Sequence, residues 1–182
     1  VGAARSGHLD SRESQVRILT LTRGFYPAVE FGGPAIASYH VTRELVSRGH
    51  DVTVYTSNLL DRDKKLYPST AERDVDGVRV VYLNTLWHYN YAAIAPDIVR
   101  YCRREMKTFD VVNIYGFREF LTPVAAAYAR AAAVPYVIQP LGNLPRHSRS
   151  NVIKLLYDGL VGRGVLRAAR KVIARSELEA EQ

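Results

Sequence analysis

The stretch from Val16 to Thr56 constrains this chain more than any other. It reads strand, glycine turn, helix, glycine stop, strand. Val16–Thr22 is nearly continuous in apolar and β-branched residues, as a strand buried on both faces should be. The turn Phe25-Tyr26-Pro27-Ala28-Val29-Glu30-Phe31-Gly32-Gly33-Pro34 follows. Ala35–Ser47 then carries Ile36, Tyr39, Val41, Leu45 and Val46, the pattern of a helix with one buried face. Pro34 suits its first turn and Gly49 its C-terminal stop. Asp51–Thr56 is a second strand. The unit is therefore β-α-β, and Gly32-Gly33 is the point where its backbone can approach a ligand closely.

The alternation continues downstream. Val78–Leu83 reads as a strand entered through the Asp76-Gly77 turn. Pro96–Lys107 reads as a helix, Asp110–Tyr115 as a strand, Thr122–Ala133 as an alanine-rich helix and Pro135–Gln139 as a strand. Asn151–Ala168 is a helix and Lys171–Ala174 a sixth strand, and Ser176 caps a helix cut by the chain end. Asn58–Asp76 is read as a polar loop. Thr85–Ala93, with Trp87, His88, Tyr89 and Tyr91, is read as an aromatic loop. This order predicts an α/β, Rossmann-like parallel sheet with helices on both faces. Residues 1–15 read as a flexible lead or cloning remnant, and 16–182 as one domain of a longer protein.

Composition narrows the function classes. With 182 residues, 47% apolar and 24% charged, the chain suits a single globular domain. No apolar run approaches the ~20 residues of a membrane-spanning helix. The single cysteine, Cys102, cannot form an internal disulfide and suggests a reducing compartment. Its neighbours Arg100, Arg103 and Arg104 would lower its pKa if they faced it; the competing reading is an inert, half-buried thiol. The formal charge is +7, and Asn143–Ser176 holds eight Lys/Arg against one acid, Asp158. Such a face attracts phosphates or an anionic membrane surface. Without interleaved aromatics it does not read as a nucleic-acid site. The five histidines are scattered, so no metal-ligand spacing exists. The fingerprints G-x-G-x-x-G, G-x-S-x-G and the P-loop are absent.

Open parallel sheets bind ligands at the C-terminal ends of their strands. Three such ends would line one crevice here: Gly32-Gly33, Tyr115–Glu119 and Gln139–Asn143. Arg118 and Glu119 could hold a polar substrate there, or form an ordinary ion pair. Gly32-Gly33 could hold a phosphate at the helix N-terminus, or be an ordinary tight turn.

Five segments in order resemble the N-terminal domain of family 4 glycosyltransferases with the GT-B fold. They are Phe25-Tyr26-Pro27 through Gly32-Gly33 to Gly49-His50-Asp51-Val52-Thr53-Val54; Asp76-Gly77-Val78-Arg79-Val80; Asp110-Val111-Val112-Asn113-Ile114-Tyr115-Gly116; Pro135-Tyr136-Val137-Ile138-Gln139-Pro140-Leu141-Gly142; and Ala168 to Glu177. The resemblance covers about Val16 to Gln182. It implies a retaining enzyme that moves a sugar from a nucleotide-sugar donor to a saccharide or lipid-linked acceptor in cell-surface polysaccharide or glycolipid assembly. Gly32 and Gly33 would approach the donor diphosphate. Glu30, Tyr115, Arg118, Glu119, Gln139, Leu141, Gly142 and Asn143 would face the acceptor or sugar. The resemblance further implies no cofactor and no metal, and a C-terminal nucleotide-sugar domain outside this chain. The reading places the protein in the cytoplasm, and the basic segments Arg100–Lys107 and Arg146–Arg175 fit association with anionic lipid at the inner face of the membrane. Two departures stand out: Leu141 replaces a frequent histidine, and Asn113 and Tyr115 replace those of the fourth strand. The rival from another class is a stand-alone α/β module binding a phosphorylated ligand; a third reading is an NAD-type oxidoreductase domain.

Overall fold

A computed structural model describes residues 15–89, 92–141 and 157–174. Its elements are β1 (Arg17–Leu21), α1 (Gly33–Ser47), β2 (Asp51–Ser57), β3 (Ala71–Val75), β4 (Val78–Leu83), β5 (Trp87–Tyr89), β6 (Ala92–Ile94), α2 (Asp97–Glu105), β7 (Val111–Tyr115), α3 (Leu121–Ala131), β8 (Tyr136–Gln139), α4 (Arg163–Ala168) and β9 (Lys171–Val172). Seven strands form one sheet in the order β3-β4-β2-β1-β7-β8-β9. All pairings are parallel except β3 with β4. The expected α/β, Rossmann-like sheet is present.

Strand alternation sends side chains to two layers. Leu19 and Leu21 of β1, Tyr55 of β2, Val81 and Leu83 of β4, Val112 and Ile114 of β7 and Ile138 of β8 pack on one face against Ile98, Met106, Leu121, Ala125 and Ala129 of the α2–α3 side. Ile18, Val52, Val54, Val78, Val80 and Tyr82 occupy the other face, against Tyr39, Leu45 and Val46 of α1. Each large side chain buried this way contributes about 1.5–3 kcal/mol. The alanines of α3 let that helix lie close to the sheet: Ala125, Ala126 and Ala129 are fully buried.

Two expectations need correction. Asn58–Asp76 is not wholly a loop, because Ala71–Val75 forms β3 along the edge of the sheet. Its sequence, Ala-Glu-Arg-Asp-Val, lacks an apolar period because an edge strand exposes its charged side chains. Thr85–Ala93 likewise contains β5, which pairs with β6 as a two-stranded ribbon. The predicted helix 151–168 is described from residue 157, where a π-helical turn, Asp158–Gly162, leads into α4. β9 is two residues long, shorter than the predicted Lys171–Ala174.

The β3–β4 edge is tied to α2 by charge. Arg79 donates to Glu105 at 2.7 Å and to Glu72 at 2.8 Å. The Tyr55 hydroxyl donates to Glu105 at 2.8 Å and that of Tyr101 to Glu72 at 2.9 Å. Burial pushes Glu105 up, but hydrogen bonds from Arg79, Arg104 and Tyr55 outweigh it and hold the carboxyl at about 2. Cys102 lies behind this network. Burial, with the Glu105 charge, pushes its thiol up to about 12, opposite to the lowering its arginine neighbours suggested.

A carboxyl held below its ordinary 4.5 stabilises the fold at neutral pH, and that contribution is lost as pH falls from 4.5 towards 2. Glu105→Gln is expected to lower stability at pH 7 by about 2 kcal/mol. It should also flatten the acid limb of a Tm-versus-pH curve between those two values. An unchanged acid limb would show that the network contributes nothing.

Candidate active site

β1 pairs in parallel with β2 on one side and with β7 on the other. Strand order reverses there, so the chain leaves β1 and β7 in opposite directions and opens a crevice at their C-terminal ends. The loop after β1 forms one lip. It includes a 3-10 turn, Val29–Phe31, that ends at Gly32 with φ 78°. That left-handed backbone favours glycine. Gly32 is also the N-cap of α1 and carries no side-chain cap. A Cβ built at Gly32 or Gly33 would meet nothing within 4 Å, so both glycines face open space.

The loop after β7 forms the second lip. Gly116 has φ 101°, and a Cβ there would lie 2.6 Å from Glu119 Oε1, so the Glu119 carboxyl folds directly over the Gly116 backbone. Arg23 reaches across from the first lip and pairs with Glu119 at 3.4 Å, with side chains only 17% and 11% exposed. The Arg23 guanidinium also lies over the Phe31 ring, 5.5 Å from its centre. A small cavity of about 20 Å³ sits between the lips, lined by Arg23, Gly24, Phe31, Tyr115, Glu119 and Leu141 among others. It is the size of a single water. Burial pushes Glu119 up to about 7, an effect that Arg23 only partly offsets.

The sequence-derived residues are therefore distributed unevenly. Tyr115, Glu119 and Leu141 meet in the cavity wall. Gln139 ends β8, and its side-chain amide donates to Asn113 on β7 at 3.2 Å. Glu30 is exposed on the 3-10 turn two residues before Gly32. Arg118 does not pair with Glu119. Its guanidinium holds Asp158 through two bonds, Nε to Oδ1 at 3.0 Å and Nη2 to Oδ2 at 2.7 Å. Arg118 thus fixes the second lip to the segment before α4. Gly142 and Asn143 lie outside the described residues. Arg23, Gly24 and Phe31 were not singled out from the sequence. The available signal was position: Arg23 lies two residues beyond β1, at the end of a parallel strand.

Among the described residues no group of three metal-binding side chains occurs, and no helix is long and apolar enough to cross a membrane.

This geometry defines the class: a Rossmann-like α/β domain with a crevice at the topological switch point. Comparison with solved structures agrees. MurG from Acinetobacter baumannii matches with a TM-score of 0.51 at 13% identity, over 87% of this chain and 41% of that one. The chain thus spans less than half of MurG, and the likeness is one of fold. A Vibrio parahaemolyticus protein of unknown function, VPA0982, matches with a TM-score of 0.46 at 9% identity, over 90% of this chain and 94% of that one. No curated protein sequence matches. The glycosyl transferase 4-like domain family matches residues 32–182. The chain belongs to that family.

Glu119 supplies a test of the crevice. Its carboxyl titrates near 7 in the fold and near 4.5 otherwise, so ionising it opposes folding. The associated stability is fully present below 4.5 and is lost as pH rises through 7. Glu119→Gln should remove that loss and leave the variant more stable than wild type at pH 8 by on the order of 2 kcal/mol. Denaturant melts at pH 4.5 and pH 8 check it; an identical pH slope in both proteins would refute the assignment.

Proposed function

We propose that this chain is the acceptor-side half of a retaining glycosyltransferase, working from a nucleotide-sugar donor. The observation that carries the proposal is the open backbone at Gly32 and Gly33, at the mouth of the switch-point crevice, in a chain of this family. A side chain at either position would occupy the space through which a diphosphate approaches. The positive end of α1 starts there, which favours an anion. The nucleotide itself would be held by a C-terminal domain that closes over this edge, so the chain alone is inactive.

The acceptor, a saccharide or a lipid-linked saccharide, would lie along the two lips. Glu30, Tyr115, Glu119, Gln139 and Leu141 are the described residues available to it. Arg118 acts in this reading by positioning the second lip, because the Nε–Nη2 edge of its guanidinium is held by Asp158. As the anomeric carbon leaves the diphosphate, negative charge grows on the departing oxygen. Backbone dipoles beside Gly32-Gly33 would stabilise it without reorganising. The reading places the protein in cell-surface polysaccharide or glycolipid assembly, cytoplasmic and peripheral at the inner membrane face. It needs no metal.

A screen of sugar nucleotides for hydrolysis by the full-length protein tests the proposal. One donor class should turn over. Gly33→Ala separates chemistry from folding, because Gly33 lacks a left-handed backbone and a methyl group there meets no neighbour. Its stability should stay within about 0.5 kcal/mol of wild type, while turnover falls about 100-fold. No turnover of any donor, or full activity in Gly33→Ala, would overturn the reading. Binding of a phosphorylated ligand without transfer would favour the stand-alone module instead.

A further inference from the structure

The opposite end of the sheet holds a second concavity. It lies where α3 ends and β8 begins, and its volume is about 390 Å³. Residues 133–135, Ala168 and Ala169 contribute apolar lining, and Arg130 and Arg170 line the same hollow. Both arginines are exposed. Among the described residues neither guanidinium takes part in an ion pair. The Tyr136 hydroxyl donates to the Val165 carbonyl, and burial pushes it up, an effect that the Arg130 charge partly offsets.

The competing groups are already occupied. The end of α3 would normally present bare carbonyls that repel an anion. Here Ala132 donates to the Tyr128 carbonyl, Ala133 to that of Arg130, and Val134 to that of Ala129. Ala133 takes the left-handed backbone, φ 57°, that this closure requires. The sequence between Glu119 and Glu177 contains a single acid, Asp158, against nine Lys/Arg. Asp158 is consumed by Arg118 at the other end of the sheet. Arg167 of α4 and Lys171 of β9, both exposed, add positive charge nearby in the chain.

From this we infer that the hollow lined by Arg130 and Arg170 is a binding site for a phosphate ester, remote from the glycine turn. Two guanidiniums offer paired N–H donors that match phosphate oxygens. The apolar lining takes the carbon side of the ester, and the hollow is larger than a bare phosphate needs. The ester can be the headgroup of an anionic lipid or a soluble phosphorylated compound; both present the same group. The inference does not depend on glycosyl transfer at Gly32-Gly33.

The test compares the full-length protein with R130Q/R170Q and with a charge-matched control, R48Q/R73Q. Flotation with phosphatidylglycerol vesicles, against phosphatidylcholine vesicles, reads the lipid source. Calorimetry with inorganic phosphate and glycerol 3-phosphate reads the soluble source. In whichever arm wild type binds, R130Q/R170Q should weaken binding about 30-fold, since each arginine facing an anionic surface contributes about a factor of five. The control should bind within about twofold of wild type. Binding only to phosphatidylglycerol assigns the site to a headgroup; binding only in the calorimeter assigns it to a soluble ester. No binding in either arm overturns the inference, as does equal weakening in the control, which would reduce the effect to net charge. Thermal melts and sugar-nucleotide hydrolysis should be the same in all three proteins, so a failure here is distinct from a failure at the glycine turn.

Discussion

The fold depends on the two-sided pairing of β1. Ile18 to Leu21 face Val52 to Tyr55 on one side and Val111 to Ile114 on the other, both in parallel. A parallel neighbour must be reached by a crossover, so each side of β1 needs its own helix. α1 serves the β2 side and packs on one face, while the helices serving the β7 side pack on the other. The two connections cannot cover the same ground at the C-terminal end of β1. The gap left there is the crevice. It follows from topology before any side chain in it is chosen.

Side chains then decide how that gap is held. Arg23 and Glu119 link its two lips, and Glu119 pays for the position with a carboxyl that burial makes reluctant to ionise. A partly buried pair of this kind adds little net stability, because desolvation consumes most of the attraction. Its effect is to fix one lip relative to the other. Arg118 and Asp158 do similar work one residue earlier in the chain, between the second lip and the segment before α4. Gly24 and Gly116 are needed because Phe31 and Glu119 press onto their backbones, 2.6 Å from where a Cβ would be. The lips are thus packed against glycine backbone and tied by charge, while Gly32 and Gly33 on the first lip remain uncovered.

Most of the sheet was legible because buried parallel strands are nearly continuous apolar runs. β1, β2, β4, β7 and β8 announce themselves in this way, and the glycine turn and Gly49 stop mark α1. β3 was hidden because an edge strand shows no such run: Glu72, Arg73 and Asp74 read as loop. Position in the crevice was only partly legible. Tyr115, Glu119 and Leu141 follow from the rule that ligands meet the C-terminal ends of strands. Arg118 and Glu119 are adjacent in sequence, so nothing local told their roles apart. Their partners, Asp158 and Arg23, are 40 and 96 residues away in the chain, a distance across which sequence pattern carries no signal. Cys102 misled for the same reason. Its neighbours in sequence are arginines, but burial and the Glu105 charge set its chemistry.

Charge is sorted across the sheet rather than spread over it. At the β3–β4 edge Glu72 and Glu105 alternate with Arg79 and Arg104, and the charges satisfy one another. At the β8–β9 edge Arg130 and Arg170 take part in no ion pair among the described residues. A net charge of +7 could in principle be a diffuse property that merely keeps a protein soluble. Here the charges at the first edge pair with one another, while Arg130, Arg170, Arg167 and Lys171 of the second edge enter no ion pair among the described residues. Repulsion among unpaired cations there is a cost that folding does not recover from within the described residues. An anionic partner at that edge would relieve it, and the hollow lined by Arg130 and Arg170 gives such a partner a defined place to sit.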